Sequence, residues 1–482
     1  MSCFRSQFTI HSPKVRIRPW PCIALLGLLV MLASCAVGPN YKRPETGIPQ
    51  VYQEETKLST NSLADLPWWA VFQDASLQEL VRMALTNNYD LRIAVARVEQ
   101  AQAIADETRA EFFPQIGYQG TAGRGQNAAN GVPSVTGKTA TYSAVAANAS
   151  WEIDLWGRIR RMNESARAQY LATEEAQRNV RISLISQTAQ AYFQLLALDA
   201  QLSIAKEATN AFGESLKIFS ERLEHGVSSR LETSAAEAAR ADAAAQIPAL
   251  ERQIALQEDQ INVLLGRYVG SVSRDDDSLE KPLAPEVPAG LPSALLERRP
   301  DIREAEQQLR SANAQVGVAV ANYFPNLSLT GLFGRVSPEL DAFTGGGATA
   351  WSAAANLAGP IFQGGRLNAQ LRQARAVREQ YWLQYQAAVL NGFREVSDAL
   401  ISRQRLIEER AAREITVGAY REAVEVVLER YRIGQSSYYE VLQEQQQLFP
   451  AENALVQTGL DELLNTVQLY RSLGGGWDIK DK

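Results

Sequence analysis

The feature that most constrains this chain is a stretch from Gly157 to Gly226 with no proline and one interior glycine, Gly213. It is rich in Ala, Gln, Glu, Arg and Leu, residues that favour helix on propensity alone. Apolar side chains recur at Leu184, Ala191, Leu195, Leu198, Leu202, Ala205, Phe212, Phe219 and Leu223. The steps are mostly threes, fours and sevens, so one stripe of a helix packs against neighbouring helices in coiled-coil fashion. At 1.5 Å per residue the rod is about 100 Å long. A compact domain has little use for it.

The rod occurs twice. Gly157-Arg158 returns as Gly365-Arg366, and the step from 157 to 365 is 208 residues. Arg222-Leu223-Glu224-His225-Gly226 returns at the same offset as Arg430-Tyr431-Arg432-Ile433-Gly434, and Leu265-Gly266 as Leu473-Gly474. Upstream the offset is 211: Asp90-Leu91-Arg92 matches Asp301-Ile302-Arg303, and Phe113-Pro114 matches Phe324-Pro325. A fixed offset held through two long segments marks one duplicated unit.

The first 34 residues read as a targeting segment. Lys14, Arg16 and Arg18 precede an apolar run, Ile23 to Leu32, that is too short to span a bilayer. It ends Leu32-Ala33-Ser34-Cys35, which resembles a bacterial lipoprotein cleavage box, with Cys35 as the acylated N-terminus. The competing reading is an ordinary signal peptide with an incidental cysteine. Ala36 follows rather than the Asp that marks inner-membrane retention of bacterial lipoproteins. Cleavage removes four basic residues and no acid, taking the net charge from −6 to −10. An acidic exported chain does not suggest nucleic-acid binding. Cys3 and Cys22 leave with the segment, so Cys35 has no partner for an internal disulfide.

Residues 35–67 read as lipid anchor and extended linker, punctuated by Pro39, Pro44, Pro49 and Pro67. A first repeat then covers 68–269, with a helical stretch from Leu77 to Leu85. Asp90 is the expected cap of the next helix, from Leu91 to about Glu111. After Phe113-Pro114 the period changes from 3.6 to 2. Ile116, Tyr118, Gly120 and Ala122 share one face, against Gln115, Gln119 and Thr121. Strands are expected at about 113–124 and 139–155, separated by a polar loop, Gly125 to Lys138, and followed by the hairpin 157–266. A linker covers 270–297. The second repeat, 298–477, carries strands at about 325–336 and 349–361 around a Gly-rich loop, then the hairpin 365–473; 478–482 is a tail.

Ten-residue segments with this dyad pattern suit the lipid-facing and lumen-facing alternation of an outer-membrane barrel. Two hairpins of a soluble β-domain are the plainer alternative. Four strands cannot close a membrane barrel, which needs about eight. An open edge in lipid leaves unpaired backbone groups. Copies of the chain must then share one barrel, in a number that this argument leaves open.

Here the residues resemble a known family. Arg298-Arg299-Pro300-Asp301-Ile302-Arg303 through Ala312-Asn313-Ala314 to Tyr323-Phe324-Pro325, Trp151 through Gly157-Arg158, and Leu473 through Trp477 are similar to the TolC-like outer-membrane efflux lipoproteins. The likeness covers Cys35 to Trp477. It implies an α+β membrane protein of duplicated units, with four barrel strands plus very long helices per chain. Three such chains would form a twelve-stranded β-barrel continued by a twelve-helix periplasmic α-barrel. It further implies a periplasmic adaptor (membrane fusion) protein, an inner-membrane transporter of the RND type, and a homotrimer in outer-membrane lipid.

The resemblance also carries site residues. Glu232 and Glu440 stand six positions beyond Gly226 and Gly434, where the family's channels carry gate aspartates, and Tyr431 matches a tyrosine of the closing network. Ser436 stands where the family has an arginine, and Gln443 where it has a second pore aspartate. Arg230 or Arg430 would have to replace that arginine. Like charges around one narrow mouth should raise each other's pKa and attract cations. The competing reading is that both glutamates are helix-start acids favoured by the dipole. Gly226 and Gly434 mark the turns where an adaptor would dock.

No catalytic or cofactor signature is present: no nucleophile elbow, P-loop or zinc spacing. His225 precedes Gly226 at a helix end, where imidazole suits the dipole. The reading is a passive channel of a tripartite export system, not an enzyme, with no cofactor or metal. The alternative is a periplasmic scaffold or adaptor lipoprotein without a pore, against which the four alternating segments argue.

Overall fold

The computed structural model of the 482-residue chain describes residues 36–45, 47, 66–126, 128, 129, 132, 133, 139–274, 295–337 and 348–475. Cys35, most of the two polar loops and Trp477 lie outside the described residues. The elements are α1 (Trp68–Val71), α2 (Ala75–Asn87), α3 (Tyr89–Ala110), β1 (Gln115–Gln126), β2 (Ala128–Ala129), β3 (Val132–Pro133), β4 (Thr139–Ile153), α4 (Arg158–Glu224) and α5 (Arg230–Leu264). The second half continues with α6 (Leu295–Arg298), α7 (Pro300–Ala321), β5 (Asn326–Ser337), β6 (Ala348–Ala358), α8 (Arg366–Arg432) and α9 (Tyr438–Ser472). The duplicated fold is therefore present, with two long strands and two long helices in each half. Both α4 and α8 are 67 residues long, about 100 Å each.

All four long helices end on one device. Gly226, Gly266, Gly434 and Gly474 have φ of +75°, +65°, +79° and +75°. At each, the glycine N–H and the next N–H reach back to carbonyls of the last turn: Val227 N–H to Arg222 O at 2.8 Å, Gln435 N–H to Arg430 O at 2.8 Å. This is the Schellman closure, which needs a left-handed residue after the cap. The positions that carry the 208-residue offset are those where the backbone must enter that region.

The described residues fall into two compact units. The first, from residues 36–41, 105–166 and 312–377, holds an antiparallel sheet in the order β1-β4-β5-β6. Its register (Tyr118 opposite Ala147, Ala147 opposite Phe333, Phe333 opposite Trp351) gathers the apolar residues of all four strands on one face. There Ile116, Tyr118, Phe333, Trp351 and Leu357 are between 67% and 91% exposed. The other face carries Gln115, Gln119, Asn148, Ser150, Ser328, Thr330, Ser352 and Asn356. Gly334 lets β4 come close, since a Cβ there would lie 2.3 Å from Val145 O. Among the described residues β1 and β6 are the two edges of this sheet, each paired on one side.

Below β4 the chain turns into α4 through Asp154, whose carboxylate accepts the N–H groups of Ile159 (3.1 Å) and Arg160 (2.9 Å), while Glu152 holds Arg158 at 2.8 Å. Trp156 stacks on Phe324 at 4.6 Å and donates to Pro325 O at 2.8 Å, which explains the Phe-Pro signature. Residues 37–40 are pinned here. Buried Arg161 donates to the Val37 and Gly38 carbonyls and to Asn40 Oδ1, and Asn313 donates to Pro39 O.

The second unit, within residues 42–104, 167–311 and 378–475, is helical and is built around Phe72, Tyr192, Phe193 and Tyr470. One expectation is corrected in it. Asp90 is the second residue of α3 and does not cap it; Asn88 does, accepting the Leu91 N–H at 3.0 Å. An amide can cap one helix and still donate elsewhere, and Asn88 Nδ2 donates to Leu264 O at 3.0 Å. In the other half Arg299 occupies the matching place and donates to Ser472 O at 2.8 Å, while also holding Asp301 (2.6 Å) and Glu395 (2.8 Å). None of the described helices is long and apolar enough to cross a membrane.

Candidate functional site

The candidate site is the pair of turns that join α4 to α5 and α8 to α9. Both turns lie in the second unit. Phe219, Ala236, Val427, Tyr431, Tyr438 and Val441 form a buried cluster that ties the two hairpins together. The Phe219 ring lies 3.9 Å from Tyr438 and 5.4 Å from Tyr431, centroid to centroid. Further from the turns, Ser215 donates to Gln445 Oε1 at 3.3 Å, and Phe212 meets Phe449 edge-on at 5.4 Å.

Within the chain both glutamates act as helix-start acids. Glu232 closes a capping box: its carboxylate accepts the Ser228 hydroxyl and, at 2.9 Å, the Ser229 N–H, while its own N–H donates to Ser229 Oγ. The Ser228 hydroxyl, then the Ser229 N–H, hold the Glu232 carboxyl below the usual carboxylate range. Glu440 is exposed and accepts the Ser436 hydroxyl, the Ser437 hydroxyl (3.0 Å) and the Ser437 N–H (3.2 Å). Its pKa is likewise lowered, by Ser436 first. Ser436 therefore orients Glu440 here. Gln443 is exposed on α9, one turn from Glu440.

Tyr431 is not at the surface but inside the cluster, 6% exposed. Tyr438, 4% exposed, carries a hydroxyl with no hydrogen-bond partner among the described residues; burial, and then Glu232, push its pKa up to about 12. A cation beside this group is Arg222. Its guanidinium lies 4.7 Å above the Tyr431 ring, and its charge helps to lower the Glu232 pKa. Arg430 is the repeat mate of Arg222, and it reaches the Gln435 carbonyl at 3.4 Å. The repeat itself was the signal that could have singled out Arg222. Around the turns Val227, Leu231, Ile433 and Tyr439 are 66% to 79% exposed. No group of three or more metal-ligating side chains exists among the described residues.

A family model described as outer membrane efflux protein matches residues 80–267 and 291–475, one span for each repeat. The chain belongs to this family. The probable efflux pump outer membrane protein TtgC of Pseudomonas putida is 34% identical over 463 residues, covering 94% of this chain and 96% of TtgC. The cation efflux system protein CusC of Escherichia coli K12 is 33% identical over 472 residues, covering 94% and 98%. The open-state crystal structure of the Neisseria gonorrhoeae MtrE outer membrane channel superposes with a TM-score of 0.84 at 29% identity, over 92% of this chain and 99% of that one. This efflux protein is the outer-membrane channel component of an efflux pump, and it is not an enzyme.

Proposed function

We propose that the channel is a homotrimer that forms a passive conduit from periplasm to exterior. The observation that carries this is the four-stranded sheet with one apolar face, one polar face and two unpaired edges. In lipid those edges must be paired, and only further copies supply strands of matching length and pattern. Three copies give the twelve strands that the family likeness implies. Cys35 carries the lipid that tethers the N-terminus to the outer membrane. A periplasmic adaptor docks at the turns around Gly226 and Gly434, where exposed apolar side chains flank both glycines. An inner-membrane transporter of the RND type supplies the energy. Cargo is set by that transporter.

The mouth is gated at the turns. Glu440 and Gln443 lie on the first turns of α9, and Tyr431 belongs to the cluster that ties the hairpins together, with Glu232 and Arg222 beside it. The test is recording in planar bilayers. The purified protein should show discrete, cation-preferring conductance that multivalent cations block. Glu440→Gln should lower selectivity and block without loss of the trimer. An unchanged mutant removes Glu440 from the pore, and absence of conductance from intact trimers favours the scaffold reading.

A further inference from the structure

The two places where a strand runs into a long helix are repeat mates, yet they differ in charge. Between β4 and α4, Glu152 holds Arg158 through both carboxylate oxygens, at 2.9 and 2.8 Å, and Asp154 holds Arg160 at 3.1 Å. Two acids meet two arginines, and that junction is neutral. Advanced by 208 residues, Arg158 becomes Arg366, but Glu152 becomes Pro360, Asp154 becomes Phe362 and Arg160 becomes Asn368. Arg366 keeps the charge and has lost the carboxylate. Its Nε and Nη2 donate to Gln363 Oε1, a neutral amide, at 3.1 and 2.7 Å, and among the described residues no acid pairs with it.

Both arginines line one cavity of about 400 Å³ at the root of the sheet, within the first unit. A volume of that size falls in the range of small-molecule sites. Trp156, stacked on Phe324, gives the cavity an apolar wall together with Pro360 and Leu367. Glu152, Asn326 and Ala358 line it as well, and the register puts all three on the polar face of the sheet: Glu152 is opposite Ser328, and Asn326 is opposite Ala358. The cavity therefore belongs to that face, not to the face of Tyr118 and Trp351. Inside it Arg158 cancels Glu152 and Arg160 cancels Asp154, so the charge left over is that of Arg366.

We infer that this cavity is a binding site for an amphipathic carboxylate, with the solute's anionic head on Arg366 and its apolar body against Trp156, Phe324 and Leu367. The repeat supplies the argument for the anion. Position 152 gives Arg158 a carboxylate and the mate position 360 gives Arg366 none, so a solute carboxylate completes the second junction as Glu152 completes the first. A guanidinium takes a carboxylate through two parallel N–H···O bonds, which the single amide oxygen of Gln363 does not offer. The inference rests on the reading that the polar face lines the conduit. It adds a class of solute that pauses at the root of the barrel on its way out.

The probes are cinnamate and its neutral isostere cinnamamide, titrated calorimetrically into the detergent-solubilised full chain. Cinnamate should bind the unmutated protein about tenfold more tightly than cinnamamide. Arg366→Gln should weaken cinnamate about tenfold and leave cinnamamide unchanged, and Arg366→Lys should recover part of the loss. Glu152→Gln frees Arg158 and should tighten cinnamate about threefold, a gain that a merely structural role would not produce. Pro360→Glu gives Arg366 the carboxylate that its mate has, and should abolish the preference for cinnamate. An unchanged thermal midpoint shows that each variant is folded. Equal binding of cinnamate by Arg366→Gln, or cinnamamide bound as tightly as cinnamate, overturns the site. In planar bilayers cinnamate should shorten the open times of the unmutated channel and not those of Arg366→Gln. Selective binding with no effect on open times overturns the pause on the way out. Selective binding by a protein that never conducts removes the conduit reading and leaves the carboxylate site standing.

Discussion

Helices α3 and α7 occupy the same place in the two repeats and meet opposite fates. In α7, Ile302, Leu309, Ala312, Ala314 and Val316 are all buried, whereas α3 buries only Leu91 and Ala94. The strands repeat the contrast: β4 and β5 are paired on both sides, and β1 and β6 on one. The difference does not come from composition, since both helices carry alanine and branched apolar residues on the same stripe. It comes from counting. Two repeats in one chain make one joint between them and leave one half-joint exposed at each end. On the proposed reading, further copies of the chain complete the two half-joints.

The largest way to break the comparison lies at the matched contacts. Arg299→Ala removes a buried guanidinium from the partly exposed Asp301 and Glu395 and from the Ser472 carbonyl, and should cost about 2–3 kcal/mol of unfolding free energy. Asn88→Ala removes a cap and one hydrogen bond, for about 1–2 kcal/mol. Guanidinium titration of the detergent-solubilised protein reads both. Equal costs would mean that the two sites are interchangeable and that the halves differ less than their contacts indicate.

A smaller effect is expected at the turns. Ser229→Ala should cost about 1 kcal/mol through the capping box of α5. The Glu232 pKa is depressed in the folded chain, so its contribution is fully present above the unfolded carboxylate value. It is lost as pH falls through the lower folded one. Glu232→Gln should flatten that acid limb in pH-dependent melting of the turns, followed by hydrogen exchange. A limb unchanged by the substitution would assign the acid sensitivity to another carboxylate.

Much of the fold was legible because its physics is periodic. Alternation placed an apolar face on four strands, glycine offsets located the helix ends, and the long rods needed only propensity and a stripe. What stayed hidden was chemistry that the repeat does not copy. Asn88 and Arg299 perform one contact with unlike side chains, so no motif links them, and Asp90, two residues on, carries the same capping signature as Asn88. Pro248 and Pro450 sit inside α5 and α9 without ending either helix, and they do not stand at the repeat offset. Packing along a long hairpin outweighs one lost backbone bond there. Arg222 opens a repeated pentad, and its place over Tyr431 depends on the approach of the second hairpin.

The central claim is that the half-joints close only between copies. Native mass spectrometry of the solubilised protein tests it most directly. The account predicts a species of three chains that survives mild detergent, with no stable monomer. A homogeneous single-chain species that still conducts in bilayers would contradict it.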